Sequence, residues 1–154
     1  MFSNQILVSR YADNAGAIYK QKKLYTMENK RKILMCDNDE ATLQQLSTAL
    51  QKEGFEITAF SDAAELISTT ERFRPSVVIV NPDMPKFNAY DVCKRLQKEL
   101  KVPLVLLVDP HSTTRAQVDE CNPDDVVTKP VEINNLVNLL DKHITVTANT
   151  NTDR

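Results

Sequence analysis

Val77-Val78-Ile79-Val80-Asn81-Pro82-Asp83-Met84-Pro85 is the stretch that decides the fold. Four consecutive apolar residues read as a buried strand. They deliver the uncharged amide of Asn81 to the strand's carboxyl end, where open α/β sheets place their active groups. A carboxylate at that point could serve as nucleophile or metal ligand, and an amide does neither well.

Outward from this strand, the chain alternates between two periods. Lys32 to Cys36 is a short apolar run, and Phe55 to Phe60 is a half-buried strand. Leu104 to Val108 suits a strand covered on both faces, and Val126 to Thr128 a fifth. Between them lie helical patterns. Leu43, Leu46 and Leu50 share one face, and Gly54 ends that helix. Ser61 or Asp62 can cap the next helix, with Leu66 and Ile67 inward. Asn88 to Leu100 predicts a helix with Tyr90, Cys93, Leu96 and Leu100 inward. Ser112 to Glu120 predicts a weak, short helix whose clearly apolar residues are Ala116 and Val118. Pro130 is expected to start a final helix using Ile133, Leu136, Val137 and Leu140. Near-continuous apolar strands alternating with amphipathic helices imply one doubly wound α/β domain, a (βα)5 unit with a five-stranded parallel sheet and helices on both faces.

The expected domain covers residues 32–143. Residues 1–31 carry the basic segment Lys20-Gln21-Lys22-Lys23 and are read as a flexible extension. An added helix, or an upstream start ahead of Met27, stays open. Residues 144–154, rich in Thr and Asn, read as a frayed tail. A formal charge of -2 gives no electrostatic argument for nucleic acid or an anionic membrane. No apolar run approaches a membrane span, and the N-terminus lacks a signal-type hydrophobic core. Cys36, Cys93 and Cys121 form no metal-type pair and no obvious disulfide framework. Cys36 and Cys93 read as buried thiols, and the cytoplasm is the simplest compartment. His111 and His143 read as solvated loop or helix-end residues. The two glycines, Gly16 and Gly54, make no phosphate-binding loop, which disfavours a nucleotide-dependent enzyme.

The chemistry-bearing residues gather at the predicted strand ends. Asp37, Asn38, Asp39 and Glu40 follow the first strand, and Asn81 and Asp83 the third. Val108 and Asp109 end the fourth, and Lys129-Pro130 follow the fifth. This order resembles the receiver domain of two-component response regulators, CheY-like in type, over roughly Lys32 to His143. The acidic turn, Asn81-Pro82-Asp83-Met84-Pro85 and Thr128-Lys129-Pro130 carry the likeness. The resemblance implies the flavodoxin-like strand order 2-1-3-4-5. It also implies phosphorelay chemistry: an aspartate ending the third strand accepts a phosphoryl group, and an acidic pair helps hold magnesium. A Ser or Thr ending the fourth strand and a lysine ending the fifth sense and neutralise the phosphoryl group.

Here the pattern breaks. Asn81 stands at the acceptor position and Asn38 at the second acidic position. Asp83 falls where the family supplies a backbone ligand. Val108 replaces the hydroxyl, and Val126 falls at the usual aromatic position of the fifth strand. Asp37, Lys129, Met84 and Pro85 are retained, and Ala89 or its neighbour stands for the family's small residue. An amide lacks the negative oxygen that phosphoryl transfer needs, and magnesium favours carboxylate and water oxygens. The expected function is therefore a pseudo-receiver: not an enzyme, without Mg2+ or other cofactor, acting as a protein–protein interaction module.

Three alternatives stay open. Asp83 could accept a phosphoryl group, the N-terminal extension could carry a scaffold contact, and Asp37, Asp39 and Asp83 could retain weak metal binding. Lys129 is expected to pair with Asp37 or to donate to the Asn81 amide oxygen. By resemblance the partner face would include Thr113, Glu120, Val126, Asn134, Asn135 and Lys142. It would meet a signalling protein such as a histidine kinase or another response regulator, or a second copy in a homodimer.

Overall fold

The computed structural model describes residues 31–152. Five strands, β1 (Lys32–Cys36), β2 (Glu56–Phe60), β3 (Val77–Val80), β4 (Leu104–Val108) and β5 (Asp125–Thr128), form one sheet in the order β2-β1-β3-β4-β5. Every pairing is parallel, with Cys36 opposite Val80 and Val108 opposite Thr128. The helices are α1 (Glu40–Lys52), α2 (Leu66–Phe73), α3 (Ala89–Lys94), α4 (Arg115–Cys121) and α5 (Ile133–Thr152). This is the doubly wound architecture expected.

Side chains along a strand alternate between faces, and the chain uses both. Ile33, Met35, Val77, Ile79, Val105 and Leu107 meet Leu43, Leu46 and Leu50 of α1 and Leu136, Leu140 and Ile144 of α5. Leu34, Cys36, Val78, Val80, Leu104, Leu106 and Val108 meet Leu66 of α2, Cys93 and Leu96 around α3, and Cys121 of α4. The three central strands are therefore apolar at nearly every position, whereas the edges β2 and β5 are half-covered.

Local chemistry sets the element ends. The Asp39 side chain accepts from the Thr42 N–H and starts α1, and Gly54, at φ +93°, lets the chain leave it. Asp62 caps a single 3-10 turn, Ala63–Glu65, so α2 itself begins only at Leu66. Asn88 caps α3, whose last turn loosens into a π-helical segment, Arg95–Glu99.

Several expectations are corrected. Tyr90 is 58% exposed, because Ala89, Cys93 and Leu96 define the inner face of α3 and Tyr90 lies one position off it. The final helix starts at Ile133 rather than Pro130. The Lys129–Pro130 bond is cis and lies in the approach loop, and the Glu132 carboxylate accepts from the N–H groups of Asn134 and Asn135 to begin the helix. The helix ends at Thr152. On α4, Ala116 is exposed and Cys121 is the buried anchor. His143 is not simply solvated: its ring lies 3.4 Å from the Asp125 carboxylate. Arg31 belongs to the packed domain, stacked 4.1 Å over the Phe55 ring and 3.1 Å from Asp141. The rest of the expected extension, residues 1–30, lies outside the described residues.

Cys93 and Cys121 are joined in a disulfide, against the expectation of separate thiols. They are 28 residues apart in sequence, so only the packing of α3 against α4 brings their Cα atoms to 5.2 Å. Cys36 remains a buried free thiol.

Candidate functional site

The parallel register carries the ends of β1 and β3 to the same level of the sheet, with the Asn81 N–H donating to the Cys36 carbonyl at 2.9 Å. The side chains that follow therefore meet. Asp37 is fully buried and Asn81 is 6% exposed. The Asn81 amide nitrogen donates to Asp37 Oδ1 at 2.9 Å and to Asn38 Oδ1 at 3.3 Å. Its oxygen accepts from the Asp83 N–H at 2.9 Å. Both ends of the amide are thus used, and the backbone donor fixes which end faces Asp37.

β5 brings the charge that balances the crevice. The Lys129 N–H donates to the Val108 carbonyl, which ties the end of β5 to that of β4. Its ammonium then reaches Asp37 Oδ2 at 2.7 Å. Of the two partners left open for Lys129, the structure has Asp37 and not the Asn81 oxygen. Asp37 Oδ1 also accepts from the Asp39 N–H at 3.0 Å. A buried carboxylate needs such pairing and hydrogen bonding to remain charged.

This donor set does not fit magnesium. A hard divalent cation needs several oxygen ligands arranged around one point. Around Asp37 the neighbouring groups are an ammonium and an amide N–H, both of which would repel it. Asp39 spends its carboxylate capping α1, through the Thr42 N–H at 3.2 Å and the Thr42 hydroxyl at 2.6 Å. The Thr42 hydroxyl is the first cause, and its N–H the second, of the lowered Asp39 pKa. Asp83 turns the other way, accepting from Gln117 Nε2 at 3.3 Å. Among the described residues, no cluster of three or more acidic, His or Cys side chains could hold a metal ion.

The remaining positions are equally specific. Val108, 8% exposed, offers only methyl groups at the end of β4. The Thr113 hydroxyl is engaged in its own turn, accepting from the Asp109 N–H at 2.9 Å. Val126 is 38% exposed on the edge strand. Glu120, Asn134, Asn135 and Lys142 are exposed on α4 and α5, while Thr113 is half-buried.

Gln117 is the site residue that sequence reasoning missed. Its side-chain oxygen accepts from the Thr114 N–H while the Thr114 hydroxyl accepts from the Gln117 N–H, a capping box that starts α4. Its amide nitrogen reaches Asp83, so one residue links α4 to the crevice loop. The Thr-x-x-Gln spacing was the available signal for the cap. Nothing in the sequence signalled the bond to Asp83.

Comparison with known proteins agrees with this fold. The "DNA-binding response regulator MtrA" of Mycolicibacterium smegmatis is 29% identical over 109 residues, 70% of this chain and 48% of that protein. The chain spans about half the length of the curated relatives it matches. The receiver domain of Francisella response regulator 1452 covers 77% of this chain and 99% of its own, at 23% identity and a TM-score of 0.66. A CheY-like receiver domain protein from Methanospirillum hungatei superposes over 79% of this chain and 99% of its own, at 16% identity and a TM-score of 0.70. At those identities the two structures speak for the fold alone. The response regulator receiver domain pattern itself matches residues 33–141. With the parallel 2-1-3-4-5 sheet and the Asp37–Asn81–Lys129 crevice at its carboxyl edge, the chain belongs to the response regulator receiver domain family.

Proposed function

We propose that this receiver domain takes no phosphoryl group in its crevice and works as a contact module in two-component signalling. One observation carries this reading: an amide stands at the acceptor position with both of its ends satisfied by Asp37, Asn38 and the Asp83 N–H. The amide lacks the anionic oxygen for in-line attack. Lys129, which would otherwise meet a phosphoryl oxygen, neutralises Asp37 instead. Asp37, Asn81 and Lys129 pair with one another without a ligand, so one conformation is stabilised continuously and no phosphorylation event selects it. The surface of α4, β5 and α5, with Glu120, Val126, Asn134, Asn135 and Lys142 exposed, is the proposed contact face. Its partner is a signalling protein, such as a histidine kinase or another response regulator.

The test is incubation of the chain with acetyl phosphate and Mg2+, read by intact mass. The expected result is an unmodified mass. A stoichiometric, hydroxylamine-labile adduct would overturn the reading. Repeating the assay on Asp83→Asn then shows whether Asp83 is the acceptor: an adduct lost in that variant establishes the phosphorelay alternative.

A further inference from the structure

Helix α4 has little apolar footing. Of its seven residues only Cys121 is buried, and Val118 is half-covered by the core beneath it. Helices this short are marginal unless something outside them fixes them. Four contacts do so here. At the start are the Thr114–Gln117 capping box and the Gln117–Asp83 hydrogen bond. At the end, Gln97 Nε2 donates to the Asn122 carbonyl at 2.7 Å, and Cys121 is bonded to Cys93 of α3. Only the last of these is covalent. The Cα separation of 5.2 Å lies inside the range that disulfides adopt without moving the backbone, about 4.4–6.8 Å.

We propose that Cys93 and Cys121 are a reversible thiol–disulfide pair that sets how firmly α4 is held against α3. The reaction is exchange with a low-molecular-weight thiol. Its thiolate attacks one sulfur, the protein S–S bond breaks, and the other cysteine leaves as a thiolate and takes a proton. A second small thiol attacks the mixed disulfide, freeing the first cysteine and forming the small disulfide. Two electrons pass from the two small thiols to the protein. Closure is the reverse, with the small disulfide as oxidant. Both sulfurs are buried, each residue 1% exposed, so exchange proceeds through local opening. The small apolar footing of α4 keeps such opening low in free energy. Cys36 stays outside the exchange, its thiol pushed up to about 12, first by burial and then by Asp37 and Asp62. The consequence for partner binding rests on the contact face proposed above, whereas the clamp is tested on the free chain.

The full chain is equilibrated in glutathione buffers from fully reduced to fully oxidised. Thiols are counted by maleimide labelling after denaturation, and amide hydrogen exchange is read across residues 115–122. Two labels should appear and disappear together, with Cys36 labelled throughout. The reduced chain should exchange about tenfold faster across α4, since opening is no longer restrained by the cross-link. Peptides from β1 and β3 should not change. Cys93→Ser should exchange rapidly in both buffers. Three labels at every glutathione ratio would overturn the proposal. So would equal exchange across α4 in both states, or a Cys93→Ser chain as protected as the oxidised wild type. A phosphoryl adduct in the earlier assay would sink the contact-module reading and leave the clamp standing.

Discussion

The crevice between β1 and β3 and the helix α4 beside it are held by different kinds of force. In the crevice, Asp37, Asn81 and Lys129 are largely buried and are joined by polar contacts of 2.7 and 2.9 Å. Around α4 the helix has one buried residue and is tied down at its ends by a cap, two side-chain hydrogen bonds and a disulfide. Buried polar networks tolerate no partial loss, because each group left unpaired bears its full desolvation cost. Tethers at helix ends can be released singly with the helix still in place. The first arrangement resists partial loss and the second does not, which is why the proposed change of state is placed at α4 and not in the Asp37–Asn81 crevice.

The sharpest way to break this contrast is Asp37→Ala. It takes the carboxylate from the Lys129 ammonium and the nearer of two acceptors from the Asn81 amide nitrogen, which keeps only Asn38 Oδ1 at 3.3 Å. Removing one partner of a buried pair costs about 3–5 kcal/mol, and the lower end applies because Lys129 is 16% exposed. Urea unfolding followed by circular dichroism measures the loss. A change under about 1 kcal/mol would show that the crevice is no more tightly held than a surface pair.

Gln117→Ala sharpens the other side. It removes half of the capping box and the bond to Asp83, for about 1 kcal/mol. Faster amide exchange confined to α4 is the expected signature. Exchange that spreads into β3 would mean that helix and crevice move as one body.

The effect absent at neutral pH concerns Cys36, whose Sγ lies 3.7 Å from Met84 Sδ next to the crevice. Its folded pKa is raised from 9.0 to about 12, chiefly by burial. Between those values the folded thiol keeps a proton that the unfolded thiol gives up. This contribution to stability is therefore complete below about pH 9 and is lost as pH rises through that window. Cys36→Ala should flatten the alkaline limb of a stability–pH curve, and an unchanged limb would rule the thiol out as its cause.

The elements of the sheet were largely legible in the sequence. Val77 to Val80 and Leu104 to Val108 are continuous apolar runs, and burial on both faces is the physical origin of such runs. Tyr90 misled because an aromatic residue one position off the inner face of a helix suits an apolar count as well as Ala89 does. Pro130 misled because a proline marks a helix start and a loop equally well. The site was legible as a set of residues at strand ends, but not as a set of contacts. Lys129 had two candidate partners, and the choice turned on where the strand register placed its ammonium. The bond from Gln117 to Asp83 spans 34 residues and leaves no local trace.

The sequence by itself therefore determined the alternating α/β pattern, the position of Asn81 at a strand end, and the missing carboxylate and hydroxyl at Asn38 and Val108. Those are properties of residue type and local period, which are written along the chain. Tertiary structure alone decided that Asn81 reaches Asp37, 44 residues away, that Lys129 takes the same carboxylate, and that Cys93 meets Cys121. Each depends on strand register and helix packing, which arise only when distant apolar faces are buried together.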